Sequence, residues 1–311
     1  TDSEEVKSAK KKLKPILALE STIIAHGMPF PQNLEFALEA ESACKSQGVT
    51  PATTAIIDGT ICVGLEEEEL DLVSSSKSIK KVSMRELGLA VSLGWSGATT
   101  VSSTMHIAKK AGIKVFATGG IGGVHRGADQ SFDISQDLAA LSKLSMVVVS
   151  AGAKSVLDLP KTVELLETLG VCLVGFKTSR FPSFYSRNSG IKKITRVNSV
   201  EKVSEVFLNN RFLENSGATL VLNPTPTESE IPLKTMDPII DSAIAELNKR
   251  GIKGKMVTPF LLNYIHEKTK GRSLDVNISL ALNNVQLGAK IANSLNAVSY
   301  THLTLPTRRG V

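Results

Sequence analysis

The chain is short of aromatic residues and cysteines, and it has no long apolar run. Phe, Tyr and Trp make up only 5% of its 311 residues, and no basic patch is interleaved with them. Nucleic acid is therefore not an expected partner. The three cysteines, Cys44, Cys62 and Cys172, are far apart and odd in number. They have neither disulfide nor metal-ligand spacing and read as core thiols of a reducing compartment, the cytoplasm or an organelle with a reducing interior. No apolar run approaches ~18 residues, so no membrane span is expected. A dinucleotide fingerprint is missing as well. In Gly120-Ile121-Gly122-Gly123-Val124-His125, His125 stands where G-x-G-x-x-G requires its last glycine, and the run is not a P-loop either. The first residue is not Met, which leaves room for a leader; what precedes the first strand has acidic residues and no arginine, unlike a transit peptide.

What is present is ordinary for a large folded domain: 42% apolar residues, 21% charged and a net charge of +6. Part of that charge lies in residues 1–15, a polar, lysine-rich stretch that reads as a disordered basic arm. With that arm set aside, the remainder is mildly basic, which suits a small anionic ligand. Residues 16–296 read as one domain and residues 297–311 as an atypical tail, where the helical pattern breaks.

Strand-like and helix-like segments alternate along the domain. P-I-L-A-L-E-S-T-I-I reads as a strand with Glu20 near its end, followed by a Gly/Pro loop and a helix that Asn33 can cap. T-T-A-I-I-D-G-T-I-C-V-G reads as two strands joined by a tight turn at Asp58-Gly59. Lys81 precedes a helix that Ser83 can cap. The Gly-led turn S-G-A-T-T-V opens another helix, leaving amides near Thr100 and Val101 for an anion. K-V-F-A-T-G-G is a strand running into the glycine-rich segment. Ser135 reads as a helix cap, with Asp133 before it and Asp137 in the first turn; capping alone accounts for such a pattern. S-M-V-V-V-S is a strand buried on both faces and ends at Ala151-Gly152-Ala153-Lys154. The last third reads as helical, with Asn277 among apolar neighbours, where an amide is more often structural than ligand-binding. The expected fold is α/β, a three-layer α/β/α arrangement around a mostly parallel mixed sheet.

Loops at strand ends are where open α/β sheets build their ligand crevice. Glu20, the Gly119–His125 segment and Lys154 are expected to meet there, with Lys81 and the Asp133 loop nearby. A lysine half-withdrawn from water yields its proton more readily, and the neutral amine is a nucleophile toward carbonyl-level carbon. A solvated lysine capping a loop is the plainer reading of that window taken alone.

Eight segments, in order, go further. E-S-T-I-I-A-H-G-M-P-F-P-Q-N, I-D-G-T-I-C-V-G, K-V-S-M-R-E-L, G-A-T-T-V-S-S-T-M, G-G-I-G-G-V-H-R-G, F-D-I-S-Q-D-L, S-A-G-A-K-S-V-L-D and S-L-D-V-N-I-S-L-A-L-N-N resemble the pseudouridine-5′-phosphate glycosidase, or indigoidine-synthase-A-like, family. The resemblance runs from about Leu17 to about Asn293. It implies a C-glycosidase that reversibly cleaves pseudouridine 5′-phosphate to uracil and ribose 5-phosphate. It also implies one divalent metal per subunit, usually Mn²⁺, and a homotrimer. Carried over motif by motif, it makes Lys154 the nucleophile and Glu20 the proton donor. Lys81, Val101, Ser135, Gln136 and Asp137 become substrate contacts, with Asp133 the metal carboxylate; Asn277 is added as a candidate ligand contact.

Two segments depart from the family pattern: Ser179 and Arg180 stand where members often carry an acidic residue, and the tail from Ala297 is unlike the family. In some eukaryotic relatives a sugar-kinase domain follows that point, so a fused kinase in a longer parent chain is compatible with the resemblance.

The chemistry fits the residues. A carbon–carbon glycosidic bond has no heteroatom leaving group to protonate, which defeats the usual pair of carboxylates. A lysine that forms an imine at the sugar carbon, with Glu20 protonating the departing base, removes the difficulty. The rival readings are a Schiff-base aldolase acting on a sugar phosphate with the same lysine, and a sugar-phosphate-binding protein without catalysis.

Overall fold

Ten strands form one sheet, each where a short aliphatic or β-branched run meets polar or glycine residues. The computed structural model describes residues 1–304, without the side chains of residues 255 and 299–304. In chain order the first elements are α1 (Glu4–Lys11), β1 (Ile16–Leu19), α2 (Thr22–Gly27), α3 (Gln32–Lys45), β2 (Thr50–Ile57), β3 (Thr60–Val63) and α4 (Glu67–Ser75). Next come β4 (Lys80–Val82), α5 (Leu87–Ser92), β5 (Gly97–Thr99), α6 (Val101–Lys110), β6 (Val115–Ala117), α7 (Ala128–Ser131), α8 (Gln136–Lys143), β7 (Val147–Ser150) and α9 (Leu159–Thr168). The chain continues with β8 (Cys172–Phe176), β9 (Thr195–Val197), α10 (Val200–Phe212), β10 (Thr219–Leu222), α11 (Leu233–Lys249), α12 (Val257–Lys268) and α13 (Arg272–Thr304).

The strand order is β4-β5-β2-β1-β6-β7-β10-β8-β9, with β3 paired to β2. All pairings are parallel except β2 with β3 and β2 with β5. The expected α/β fold with a mostly parallel mixed sheet is therefore the observed one. α13 lies across β1, β6 and β7, flanked by α3 and α10, while α6, flanked by α8, packs against β1 and β5 on the opposite face. Val147, Val148 and Val149 of β7 are all 0% exposed; each such side chain contributes ~1.5–3 kcal/mol of burial. The hairpin register pairs Ile57 with Thr60, and Asp58 and Gly59 both have positive φ, 46° and 77°, as a two-residue turn requires.

The structure departs from the sequence reading at several places. Residues 1–15 are not a disordered arm. Ser3 caps α1 by accepting the Val6 N–H, Val6 and Ala9 are buried, and Asp2 bridges to Val63. Two apolar residues on one face are enough to dock a lysine-rich turn. Asn33 is not a cap: it lies inside α3, and its buried amide donates to the carbonyls of Ile24 (3.0 Å) and Ser74 (2.8 Å). β1 stops at Leu19, and Thr22 to Gly27 turn into a helix rather than prolonging the strand. α13 continues through Ala297 to Thr304, so the expected break at the start of the tail is not there; residues 305–311 lie outside the described residues. Among the described residues no helix is long and apolar enough to cross a membrane.

Candidate active site

The carboxyl ends of β1, β4, β5, β6 and β7 open on one cleft. Glu20 follows β1, Lys81 is the middle residue of β4, Val101 begins α6 after β5, Thr118 follows β6, and Lys154 lies four residues beyond β7. The cleft, about 650 Å³, is lined by Glu20, Lys81, Val101, Asp133, Ser135, Gln136, Asp137 and Lys154. A recess of about 40 Å³ shares Glu20, Lys81 and Lys154 with it and adds His26, Thr118 and Asn277. The candidate site residues named from the sequence thus line the cleft or, in the case of Asn277, the recess that adjoins it. A larger cavity of about 760 Å³, lined in part by Lys177, Arg187, Asn223 and Asp275, holds none of them.

The loop that carries Lys154 is an extension of the sheet. Past the ends of β6 and β7 the two chains stay hydrogen-bonded: Ala151 N–H to the Gly119 carbonyl (2.9 Å), Ile121 N–H to that of Gly152 (3.1 Å) and Lys154 N–H to that of Ile121 (3.1 Å). Gly152 has a φ of 82°, and a Cβ there would overlap the Pro182 carbonyl oxygen, so only glycine fits. Lys154 itself is half-buried.

Glu20 is 8% exposed and accepts the Thr118 hydroxyl hydrogen. Burial pushes its carboxyl above the usual range. The charges of Lys154 and Lys81 and the Thr118 hydrogen bond oppose that shift without cancelling it, and Asp137 reinforces it. A carboxyl shifted upward in this way is suited to proton donation.

Asp137 closes another wall. Its Oδ1 accepts the Ser102 N–H at 3.0 Å and its Oδ2 the Gly122 N–H at 2.8 Å. Of the amides expected to be free at the start of α6, the Thr100 N–H donates to the Val82 carbonyl (3.1 Å) and the Ser102 N–H to the protein's own carboxylate; the Val101 N–H, between them, has no acceptor among the described residues. Ser135 caps α8 by accepting the Asp137 N–H (3.2 Å), as expected. The Gln136 side-chain oxygen accepts the Arg85 N–H (3.0 Å), tying α8 to the turn after β4.

Asp133 is half-buried on the cleft wall. Its main-chain carbonyl accepts the His125 N–H (3.0 Å), and its charge acts on the His125 ring. Among the described residues no group of three or more His, Cys, Asp or Glu is close enough to hold a metal. A lone carboxylate on an open cleft still fits a hard cation that keeps most of its waters. Asn277 is 5% exposed, and its Oδ1 has no partner among the described residues. A buried acceptor left without a partner, on a residue that lines the recess, is unlike an ordinary structural amide.

Sequence reasoning passed over His26, Thr118, Thr258 and, as a site residue, His125. His26 and His125 are held below the usual histidine range, chiefly by burial and also by nearby lysines. The only sequence signal for either was its place in a glycine-containing loop after a strand. Thr258, from α12, reaches the cleft across more than a hundred residues of intervening chain, and no local pattern reveals it.

The cleft, its lysine pair and its buried carboxyl belong to a chain that matches the family model "Indigoidine synthase A like protein" over residues 5–294. The protein is a member of that family. Its relatives include pseudouridine-5′-phosphate glycosidases from Caldanaerobacter subterraneus subsp. tengcongensis, 51% identical over 94% of this chain and 96% of the relative, and from Staphylococcus aureus, 49% identical over the same shares. Two solved structures share the fold. An indigoidine synthase A-like protein from Thermotoga maritima has a TM-score of 0.86 and 39% identity over 92% of this chain and 94% of its own. The prealnumycin C-glycosynthase AlnA, in complex with ribulose 5-phosphate, has a TM-score of 0.89 and 33% identity over 97% of this chain and 98% of its own.

Proposed function

We propose that this protein is a pseudouridine-5′-phosphate glycosidase, an enzyme that splits its substrate and water reversibly into uracil and ribose 5-phosphate. The observation that carries the reading is the meeting in one cleft of Glu20, whose carboxyl is pushed above the usual range by burial, and the half-buried Lys154. Relatives named for this activity support it, as does a structural relative named for C-glycoside chemistry and solved with a pentulose phosphate.

The Lys154 amine bonds to the sugar carbon C1′ as the ring C–O bond opens. The nitrogen lone pair then forms C=N while the bond to the base breaks, and Glu20 delivers a proton to the base carbon that receives the electron pair. Water adds to the imine, returning the amine and the sugar aldehyde. Lys81 and the Val101 N–H at the start of α6 supply the positive field for an anionic, oxygen-rich substrate. Asn277 Oδ1 accepts a hydrogen bond from a base N–H. Ser135, with Gln136 and Asp137 behind it, shapes the wall nearest the helix start.

Asp133 would hold a divalent cation, Mn²⁺ or a similar hard ion, whose remaining positions stay with water; such an ion offsets substrate negative charge. We further infer a homotrimer, to be checked as a threefold mass by light scattering.

The test is release of free uracil from pseudouridine 5′-phosphate, with and without added Mn²⁺. Scission between sugar carbons, with the base still attached, would make the protein an aldolase. Substrate binding without any product would make it a binding protein.

A further inference from the structure

Behind the acid and the nucleophile, away from the cleft, lies a pair of buried amides. Asn284, on α13, is 0% exposed, and Asn223, just after β10, is 8% exposed. Asn284 Nδ2 donates to the Thr118 carbonyl at 2.8 Å and to the Gly119 carbonyl at 3.3 Å. Its Oδ1 accepts from Asn223 Nδ2 at 3.0 Å. The Asn223 main-chain N–H in turn donates to the Ser150 carbonyl, the last residue of β7, at 2.8 Å. A chain of hydrogen bonds therefore runs from the end of the strand before Lys154, through both amides, to the residue whose hydroxyl holds Glu20.

The placement is costly, and the cost points to a purpose. Asn is a poor residue for a helix interior, and on α13 the positions one turn either side of it are Leu280, 0% exposed, and Gly288, which packs against Leu17 and Ala117. A leucine at 284 would suit that apolar stripe. It would also leave the Thr118 carbonyl, just past the end of β6, without this donor, and the helix backbone has no spare N–H to replace it. The Gly119 carbonyl is shared with the Ala151 N–H, in the loop that leads to Lys154. Asn284 thus touches the one junction where the proton donor's support and the nucleophile's loop meet.

We infer that Asn284, braced by Asn223, is a positioning residue for the reaction: it fixes the Thr118–Gly119 turn and so aims the Thr118 hydroxyl at Glu20. The inference rests on the reading of Glu20 as proton donor. The charged groups acting on Glu20 are Lys154 and Lys81, which favour its ionised form, and Asp137, which opposes it. A change in Glu20 on altering Asn284 can pass through Thr118 or, by way of Gly119 and Ala151, through the Lys154 loop, and the double variant with Thr118→Val separates the two routes.

Two measurements test it. In the free enzyme, the Glu20 carboxyl is followed by carbon NMR against pH, its signal assigned by its loss in Glu20→Gln. Loosening the Thr118 hydroxyl removes a hydrogen bond to the carboxylate, so Asn284→Ala and Thr118→Val should both move the Glu20 titration to higher pH, with Thr118→Ser restoring it. In turnover, Asn284→Ala should lower kcat by about tenfold to a hundredfold, the usual scale for a group that orients another, with KM changed by less than about twofold. The double variant Asn284→Ala/Thr118→Val should be no slower than Thr118→Val alone. Asn223→Ala, which leaves α13 intact, should shift the titration the same way by less, and answers the question if Asn284→Ala does not fold. A Glu20 titration unmoved in both Asn variants, or losses in the double variant that multiply, would overturn the inference. Because the titration is read without substrate, it decides the point even if no uracil is released and the functional reading falls.

Discussion

The Asp137 carboxylate accepts the Gly122 main-chain N–H at 2.8 Å, clamping the glycine-rich segment to the start of α8. Its other oxygen holds the Ser102 N–H of α6 at 3.0 Å, so one side chain joins three loops of the cleft. Asp137→Asn can satisfy only one of these donors and turns an NH₂ toward the other. We expect a loss of stability of about 2–3 kcal/mol, in the range for a buried hydrogen bond to a charged group, together with weakened turnover. Urea unfolding compared with uracil release checks both. A variant with native stability would show that the clamp is dispensable.

Lys154→Ala should retain substrate binding through Lys81 and the start of α6 while turnover falls on the order of a thousandfold or more, the pattern left when a covalent step is removed. Lys154→Arg should be as inactive, because a guanidinium keeps its proton. Borohydride added with ribose 5-phosphate should trap a reduced adduct on the peptide containing Lys154. An adduct on the Lys81 peptide would exchange the roles of the two lysines.

Glu20→Gln should cut turnover by about 10²- to 10⁴-fold. It also tests the burial effect. Because the folded-state carboxyl titrates above its ordinary value, its contribution to stability is complete below the unfolded value. That contribution is lost as pH rises through the raised one. Glutamine never ionises, so the melting temperature of Glu20→Gln relative to the parent should be higher at pH 8 than at pH 4. The same sign governs activity: cleavage by the parent should decline as pH rises through the Glu20 titration. A stability difference independent of pH would show that burial does not raise the Glu20 titration.

Exhaustive chelation with EDTA should abolish turnover, and Mn²⁺ should restore it. Asp133→Asn keeps both main-chain hydrogen bonds of residue 133, to Ser131 Oγ and from the His125 N–H. It should fold normally and require roughly tenfold more metal. Full activity of the chelated enzyme would remove the metal from the reaction.

The parts of the fold legible in the sequence are those written locally. Valines 147–149 announce a doubly buried strand, Asp58-Gly59 a tight hairpin, and Ser83 a cap, observed with Glu86 closing the box back to its N–H at 3.0 Å. β4, β5 and β9 have three residues each, too few for any periodicity to register, and they exist because neighbouring strands supply their partners. Asn33 obeys the local grammar of a cap, but two carbonyls from distant segments claim its amide instead. In the site, Glu20, Lys81 and Lys154 were legible because they lie inside distinctive motifs at strand ends. Thr118, His26 and Thr258 acquire meaning only through distances between elements far apart in the chain, which no single window encodes.

The docked first helix has one more consequence. Ser3 N–H donates to the Val63 carbonyl at 3.0 Å, and the Val63 N–H to the Thr1 carbonyl at 2.9 Å. The opening residues thus occupy part of the hydrogen-bonding margin of β3, the strand set off the main path of the sheet. An uncovered strand margin is a template for another chain. Residues 1–3, rather than the lysines that follow them, therefore satisfy both main-chain groups of Val63, and a chain lacking them would leave that part of the margin unpaired.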